Sequence, residues 1–433
     1  MQPNHVPEKL IHLLNDEIIP FSISDKNSYK TLSEKIGDAR IVLLGEATHG
    51  TDEFYRTRAE LCKYLIQEKG FQAIAVEGDW TSAYYINNYI KGYGNADDVD
   101  YALQDFKRFP AWMWRNTVIL SFLNWLRAYN DKLPSKNKIG FYGLDLYCLA
   151  SSMQAVIQFL NKTDPTAAKH AMERYACFDH VGTDPQAYGY MVESRLKKPC
   201  INEAKEQLLE MQRMAFDKFH DQPIDETESL FFATQNARVV KNAENYYRSM
   251  FESHANTWNI RDQHMAETLQ NIISHLETIH KMPAKIIIWA HNSHVGDARA
   301  TEMSERKELN LGQLVREHFA SSTFHLGFST YQGTVTAASD WDSPPMCKKV
   351  LPGLPGSYES LFHDLKYKEF ILDLHHGEHV KHLLELSRLQ RAIGVIYRPE
   401  TERASHYFFT HLPFQFDALI HIDETHAVEP LDH

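Results

Sequence analysis

Short runs of consecutive apolar residues recur along the chain, and most are followed by a longer stretch whose apolar positions repeat at intervals of three and four. A run of four to six Val, Ile, Leu and aromatic residues reads as a strand buried on both faces, and the amphipathic stretch after it as the helix that carries the chain back. The runs are Ile41–Leu44, Phe71–Val76, Lys138–Tyr142, Lys285–Trp289, Phe324–Phe328, Glu369–Leu372, Ile393–Tyr397 and Ala418–Ile422. They predict an α/β protein with eight strands in a central, largely parallel or mixed sheet flanked by helices.

Between the third and fourth runs, Leu149 to Met282 carries helical periodicity and almost no strand signal, most clearly over Glu203–Phe219 and Glu228–Phe251. Pro283 closes this segment, and no Gly/Ser-rich linker isolates it. It is therefore predicted to be a helical insertion, 149–282, capping one end of the sheet within a single domain spanning 1–433. The chain shows no internal repeat and no low-complexity tract.

Ligands of open α/β sheets collect beyond the carboxyl ends of the strands, where loops gather side chains without disturbing the core. Four successive strands here run into ionisable residues. IVLLGEATHG places Glu46 and His49, AIAVEGDW places Glu77 and Asp79, IGFYGLDLY places Asp145, and IIIWAHNSHVGD places His291, His294 and Asp297. Polar residues follow most strands because loops face water, but an acid or imidazole at the same end of four strands favours one shared site. Imidazole takes a proton from water near neutral pH, and a carboxylate orients it and stabilises the imidazolium.

Composition narrows the class. With 45 Lys and Arg against 57 Asp and Glu, the net charge of −12 repels phosphate backbones and anionic membranes, so neither nucleic acid nor membrane is an expected partner. The five cysteines are scattered without a C-x-x-C pair, and no signal-type n-region or run of eighteen apolar residues occurs, which reads as a cytoplasmic, soluble protein. With 24 histidines, chance clusters such as His375, His376, His379 and His382 are expected, and that group reads as a solvated loop and helix start. The G-x-S-x-G elbow, the Walker A loop, H-E-x-x-H and G-x-G-x-x-G are all absent.

The stretch GEATHGTDEFYRTRAEL followed by GFQAIAVEGDW resembles the opening of the erythromycin esterase-like family, part of a wider group with GE-x-x-H sites. FPAWMWRN, GFYGLDLY, QNARVVKNAENYYR, WNIRDQHMA, IIIWAHNSHVGD, YRPETERASHYF and LPFQFDALIHIDET extend the likeness over nearly the whole chain. The resemblance implies that His49 is the general base on water and that Glu46 and Glu77 are essential carboxylates beside it. It further implies that Arg58 and His291 stabilise developing charge. Some members of the family cleave macrolides, and others carry a succinoglycan-biosynthesis label.

Trp112 and Trp114 read as a candidate aromatic wall for a bulky apolar ligand, although aromatics at alternating positions more often lie in a core. Asp145 holds a catalytic histidine or caps a helix, and His294 stands three residues from His291. The resulting expectation is a metal-independent ester or lactone hydrolase acting on a small molecule in a deep cleft, with macrolactones within its range. No cofactor or metal is expected, and no oligomeric state follows. Two rivals use the same residues: a metallohydrolase with Glu46, His49, Glu77 and His291 on a divalent ion, and a non-catalytic protein binding haem or another small molecule.

Overall fold

A computed structural model of the chain describes residues 8–93, 98–181, 184–217, 223–251 and 254–432. In chain order its strands are β1 (Ile18–Pro20), β2 (Ile41–Leu44), β3 (Ala73–Asp79), β4 (Gly140–Asp145), β5 (Ile286–Trp289), β6 (Thr323–Ser329), β7 (Gln332–Ala337), β8 (Met346–Val350), β9 (Glu369–Asp373), β10 (Arg388–Arg391), β11 (Tyr407–Thr410), β12 (Ala418–Ile422) and β13 (Glu424–Thr425). The chain forms two compact units: Met1–Ile74, Leu103–Leu126 and Lys285–His433 make the first, and Ala75–Ala102 with Arg127–Ala284 the second.

In the first unit the strand order is β1-β9-β12-β6-β2-β5. β2 lies parallel to both β5 and β6, and β6 parallel to β12, while β9 and then β1 add antiparallel pairs at one side. All four residues of β2 and of β5 are buried, the mark of strands covered on both faces. Leu44 stands in register with Trp289 on one side and with Leu326 on the other. The residues just past β2 and β5 therefore emerge side by side. Smaller ladders complete the unit: β7 pairs antiparallel with β8 and parallel with β13, and β10 pairs with β11.

The α/β class is as the hydrophobic pattern predicts, and seven of the eight apolar runs contain strands. The exception is Ile393–Tyr397, where no strand forms. Its alternating apolar side chains instead join a small buried cluster with Val335, Ala337 and Val350, and Ile393 makes one isolated bridge to Thr48. The short β1 has too few residues to announce itself and ends in Pro20, which only an edge tolerates.

The second unit holds β3 from Ala75 onward and β4, followed by helices Leu149–Thr163, Pro165–Tyr175, Pro185–Glu193, Ile201–Asp217, Ile224–Ser249 and His254–His280. Among the described residues, 149–282 contains no strand, and Phe219 lies outside them. The helices bury their own core, with Val156, Leu160, Tyr188, Met211 and Val240 fully enclosed. Packing brings Cys177 and Cys200 to a Cα separation of 6.0 Å in a disulfide, a pairing that their spacing in sequence does not reveal. Among the described residues, no helix is long and apolar enough to cross a membrane.

Candidate functional site

The loop after β2 is shaped by two close approaches. A Cβ on Gly45 would meet Asn292 Oδ1 at 2.1 Å, and one on Gly50 would meet the Thr336 carbonyl at 1.9 Å. With no side chain at either end, the loop 45–50 packs flat on its neighbours. Its backbone is pinned by the Gly45 amide on the Leu326 carbonyl, the His49 amide on the Ile393 carbonyl and the Asn292 amide on the Glu46 carbonyl. The run misread as a strand is thus the floor of this loop.

Helix Asp52–Lys69 follows, with Asp52 and Glu53 in its first turn where the helix dipole favours negative charge. Gly70 ends it in the left-handed conformation, at φ 70°. Phe54, Arg58, Leu61, Cys62 and Leu65 form its buried stripe. One charge therefore sits in the middle of an apolar face. Arg58 is 1% exposed, its guanidinium 4.5 Å from the Tyr55 ring and 4.9 Å from the Trp289 ring. Its Nη2 donates to Glu46 Oε2 at 2.6 Å. The Trp289 indole donates to Cys62 Sγ at 3.1 Å, and burial pushes that thiol far above its ordinary range, so it is inert as a nucleophile.

Glu46 places its second oxygen on His49, with Oε1 2.8 Å from Nδ1. A carboxylate only accepts, so Nδ1 carries the proton and the lone pair of neutral His49 sits on Nε2. His291, two residues past β5, is held the opposite way. The Ser293 amide donates to its Nδ1 at 3.2 Å, and Ser293 Oγ stands 2.8 Å from the same atom. A backbone amide only donates, so Nδ1 of His291 is the acceptor and its proton lies on Nε2. The two rings are 4.8 Å apart between centroids and tilted by 46°. One imidazole thus presents a base and its neighbour a donor, the pairing required to activate water and to hold a developing oxyanion.

The second unit has its own charged cluster. Arg261 grips Asp145 with two bonds, Nε to Oδ1 at 3.0 Å and Nη2 to Oδ2 at 2.6 Å, and reaches Glu77 Oε1 at 2.8 Å. Its guanidinium lies 5.1 Å from the Tyr147 ring. Burial opposes that charge, but Asp145, Tyr147 and Glu77 outweigh it and hold Arg261 firmly protonated. His264, one turn further along the same helix, is pushed down to about 4 by burial, so it is neutral. Arg261 was not singled out from sequence although it stands in WNIRDQHMA; a cation facing two strand-end acids was the available signal.

Of the residues expected at the site, Glu46, His49, Arg58 and His291 therefore meet in the first unit, and Glu77 and Asp145 meet on Arg261 in the second. His294 is buried in the short helix Asn292–Val295, its amide donating to the His291 carbonyl. Asp297 caps the next turn and pairs with Arg299 at 2.7 Å. Trp112 and Trp114 are both buried, at 3% and 5% exposed. Trp112 lines a groove of about 690 Å³ with Phe109, Pro344, Pro345 and Met346, whereas Trp114 packs against Phe106. Among the described residues, no group of three or more His, Cys, Asp or Glu side chains is arranged to hold a metal ion.

A mixed α/β scaffold carrying a carboxylate-oriented imidazole just past its central strand defines the class of protein. The chain belongs to the erythromycin esterase family, whose model matches residues 66–425, a stretch that begins after Arg58 and includes Glu77, Asp145 and His291. It is similar to the erythromycin esterase type II of Escherichia coli, 25% identical over 339 residues that cover 75% of this chain and 78% of that one. Two solved structures share the fold. A Bacillus cereus protein has a TM-score of 0.81 and 22% identity, covering 98% of this chain and 99% of its own. A succinoglycan biosynthesis protein has a TM-score of 0.77 and 23% identity, covering 98% of both chains.

Proposed function

We propose that this chain hydrolyses carboxylic esters or lactones without a metal, using His49 as the base on water. The observation that carries this reading is that Nδ1 of His49 meets the Glu46 carboxylate while Nδ1 of the neighbouring His291 meets the Ser293 amide, contacts that favour opposite tautomers. His49 Nε2 takes a proton as the water oxygen attacks the carbonyl carbon. The carbonyl π electrons move to oxygen, and that oxyanion accepts from His291 Nε2–H. Collapse of the tetrahedral intermediate expels the alkoxide, which recovers the proton from the His49 imidazolium. Water is consumed, an acid and an alcohol are released, and no acyl-enzyme forms.

Glu46 stabilises the imidazolium through the Nδ1 bond, and Arg58 holds Glu46 from its other oxygen. Arg58 lies over the Tyr55 and Trp289 rings and is bonded to Glu46, which supports a role in holding that carboxylate and leaves the oxyanion to His291. The substrate is a small molecule, and the likeness to an erythromycin esterase makes a macrolactone the first to try. The test is turnover of p-nitrophenyl butyrate and of erythromycin, the latter followed as addition of one water, by wild type and His49→Ala. Proton-transfer catalysis contributes roughly 10²- to 10⁴-fold, so a loss of that order is expected with the fold retained. Near wild-type turnover in His49→Ala would sink the assignment.

A further inference from the structure

We infer that Ser293 is a positioning residue that fixes His291 as a hydrogen-bond donor; the inference rests on the proposed role of His291 in holding the oxyanion. The sequence after β5 reads WAHNSHVG, and the chain turns there into the short helix Asn292–Val295. Turning folds Ser293 back over the ring two residues earlier, so that its amide and its hydroxyl both converge on Nδ1, at 3.2 Å and 2.8 Å.

One imidazole lone pair therefore receives two donors. With the amide fixed as a donor, the hydroxyl hydrogen also points at Nδ1. Moving the imidazole proton to Nδ1, or adding a second one there, would set N–H against the backbone N–H and lose that bond, while the hydroxyl would turn from donor to acceptor. The amide thus opposes the alternative tautomer and the imidazolium together, and the hydroxyl adds a second bond that holds the ring in place. His291 is left with one role at its other nitrogen, which is to donate.

The turn that supplies these donors is itself anchored. Asn310 Nδ2 donates to the Ser293 carbonyl at 2.7 Å and to the Gly296 carbonyl at 2.6 Å. Asn292 Nδ2 donates to the Phe328 carbonyl at 2.7 Å at the end of β6. Ser293 is thereby tied to the central strands, and its hydroxyl is the only part of the arrangement that a single substitution can remove without touching the backbone donor.

The residue pair has a counterpart in the same unit. Glu46 selects the opposite tautomer of His49 by accepting where Ser293 donates. Exchanging donor for acceptor at position 293 should therefore convert His291 to the His49 pattern, which gives the test its sign.

The experiment is side-chain ¹⁵N NMR of histidine-labelled full-length protein, with the His291 signals identified by their loss in His291→Gln. Wild type is expected to show a pyridine-type Nδ1 and a pyrrole-type Nε2. Ser293→Thr should keep that pattern, and Ser293→Asp should move the proton onto Nδ1. On p-nitrophenyl butyrate, Ser293→Ala should lower kcat about fivefold, the size of one neutral hydrogen bond, with KM unchanged, and Ser293→Thr should restore it. A wild-type His291 protonated on Nδ1, or equal kcat in the Ala and Thr variants, overturns the inference. If Ser293→Asp does not fold, the wild-type spectrum and the Ala–Thr comparison still decide. The spectrum needs no turnover, so repeating it in His49→Ala separates this inference from the proposed reaction.

Discussion

Arg58→Met removes the guanidinium from the Glu46–His49 pair while keeping most of the side chain's length and its apolar stem. In the wild-type protein Nη2 lies 2.6 Å from Glu46 Oε2, with the two side chains only 1% and 2% exposed. Among the described residues the buried Nε has no hydrogen-bond partner, so the cation depends on Glu46 and on the faces of Tyr55 and Trp289. Removing one partner of a buried pair leaves the other charge desolvated, which costs about 3–5 kcal/mol. Methionine fills part of the space but cannot solvate Glu46. The expected outcome is a first-unit unfolding transition weakened by about that amount in urea, followed by tryptophan fluorescence because Trp289 packs on the site. Adding Glu46→Gln should recover at least about 1 kcal/mol, because the orphaned charge is then gone; contacting residues commonly couple by about 0.5–3 kcal/mol. A shift below about 1 kcal/mol in Arg58→Met would refute the view that this pair is a desolvated unit, since exposed pairs contribute only about that much.

Other outcomes follow from the same geometry. Chelation with EDTA should leave ester turnover intact, and loss restored by added Zn or Mn would favour metal-assisted attack instead. Glu77→Gln should fold, because Arg261 keeps both hydrogen bonds to Asp145, and the essential role that the resemblance implies for Glu77 predicts loss of most turnover; an unchanged kcat would make Glu77 a structural partner of Arg261. In the second unit, burial alone would raise the Glu228 carboxyl, but Lys91 at 2.9 Å and His275 at 2.8 Å outweigh it and hold it well below the usual range. A depressed carboxylate adds stability that is complete above the unfolded value of about 4.3 and is lost as pH falls through the folded one. Glu228→Gln should therefore unfold more easily at neutral pH and show a flatter loss of stability below about pH 4; parallel pH curves for variant and wild type would contradict this.

Much of the first unit is written in local pattern. β2 and β5 are continuous apolar runs because both faces are covered, and that burial is the property a run of Ile, Val and Leu reports. Ile393–Tyr397 carries a similar signal for another reason. It floors the loop at residues 45–50 and buries Ile393 and Tyr397 completely, yet its backbone bonds Ala47 and His49 at one end and Ala338 at the other in isolated bridges instead of a ladder. Hydropathy reports that a side chain is buried and is silent on where its amide points. The disulfide was hidden for a related reason, since Cys177 and Cys200 meet only when the helices of the second unit fold together.

Glu46, His49 and His291 were legible because glycine and alanine steps at strand ends are visible in sequence, whereas Arg58 came only from the family resemblance, and its place on the buried stripe Phe54, Leu61, Cys62, Leu65 is what the structure adds. The resemblance implies different roles for the two histidines, but the protonation pattern of their rings was not legible. Which nitrogen carries a proton depends on what the other nitrogen meets, and that is decided by a carboxylate three residues before His49 and an amide two residues after His291. Both partners are local in sequence, but a GE-x-x-H or H-N-S motif does not reveal which ring atom each one touches. Turn geometry supplies that fact. With it, two chemically identical side chains present opposite ring nitrogens for accepting and donating, so the site's polarity resides in the loops after β2 and β5 and not in the imidazoles themselves.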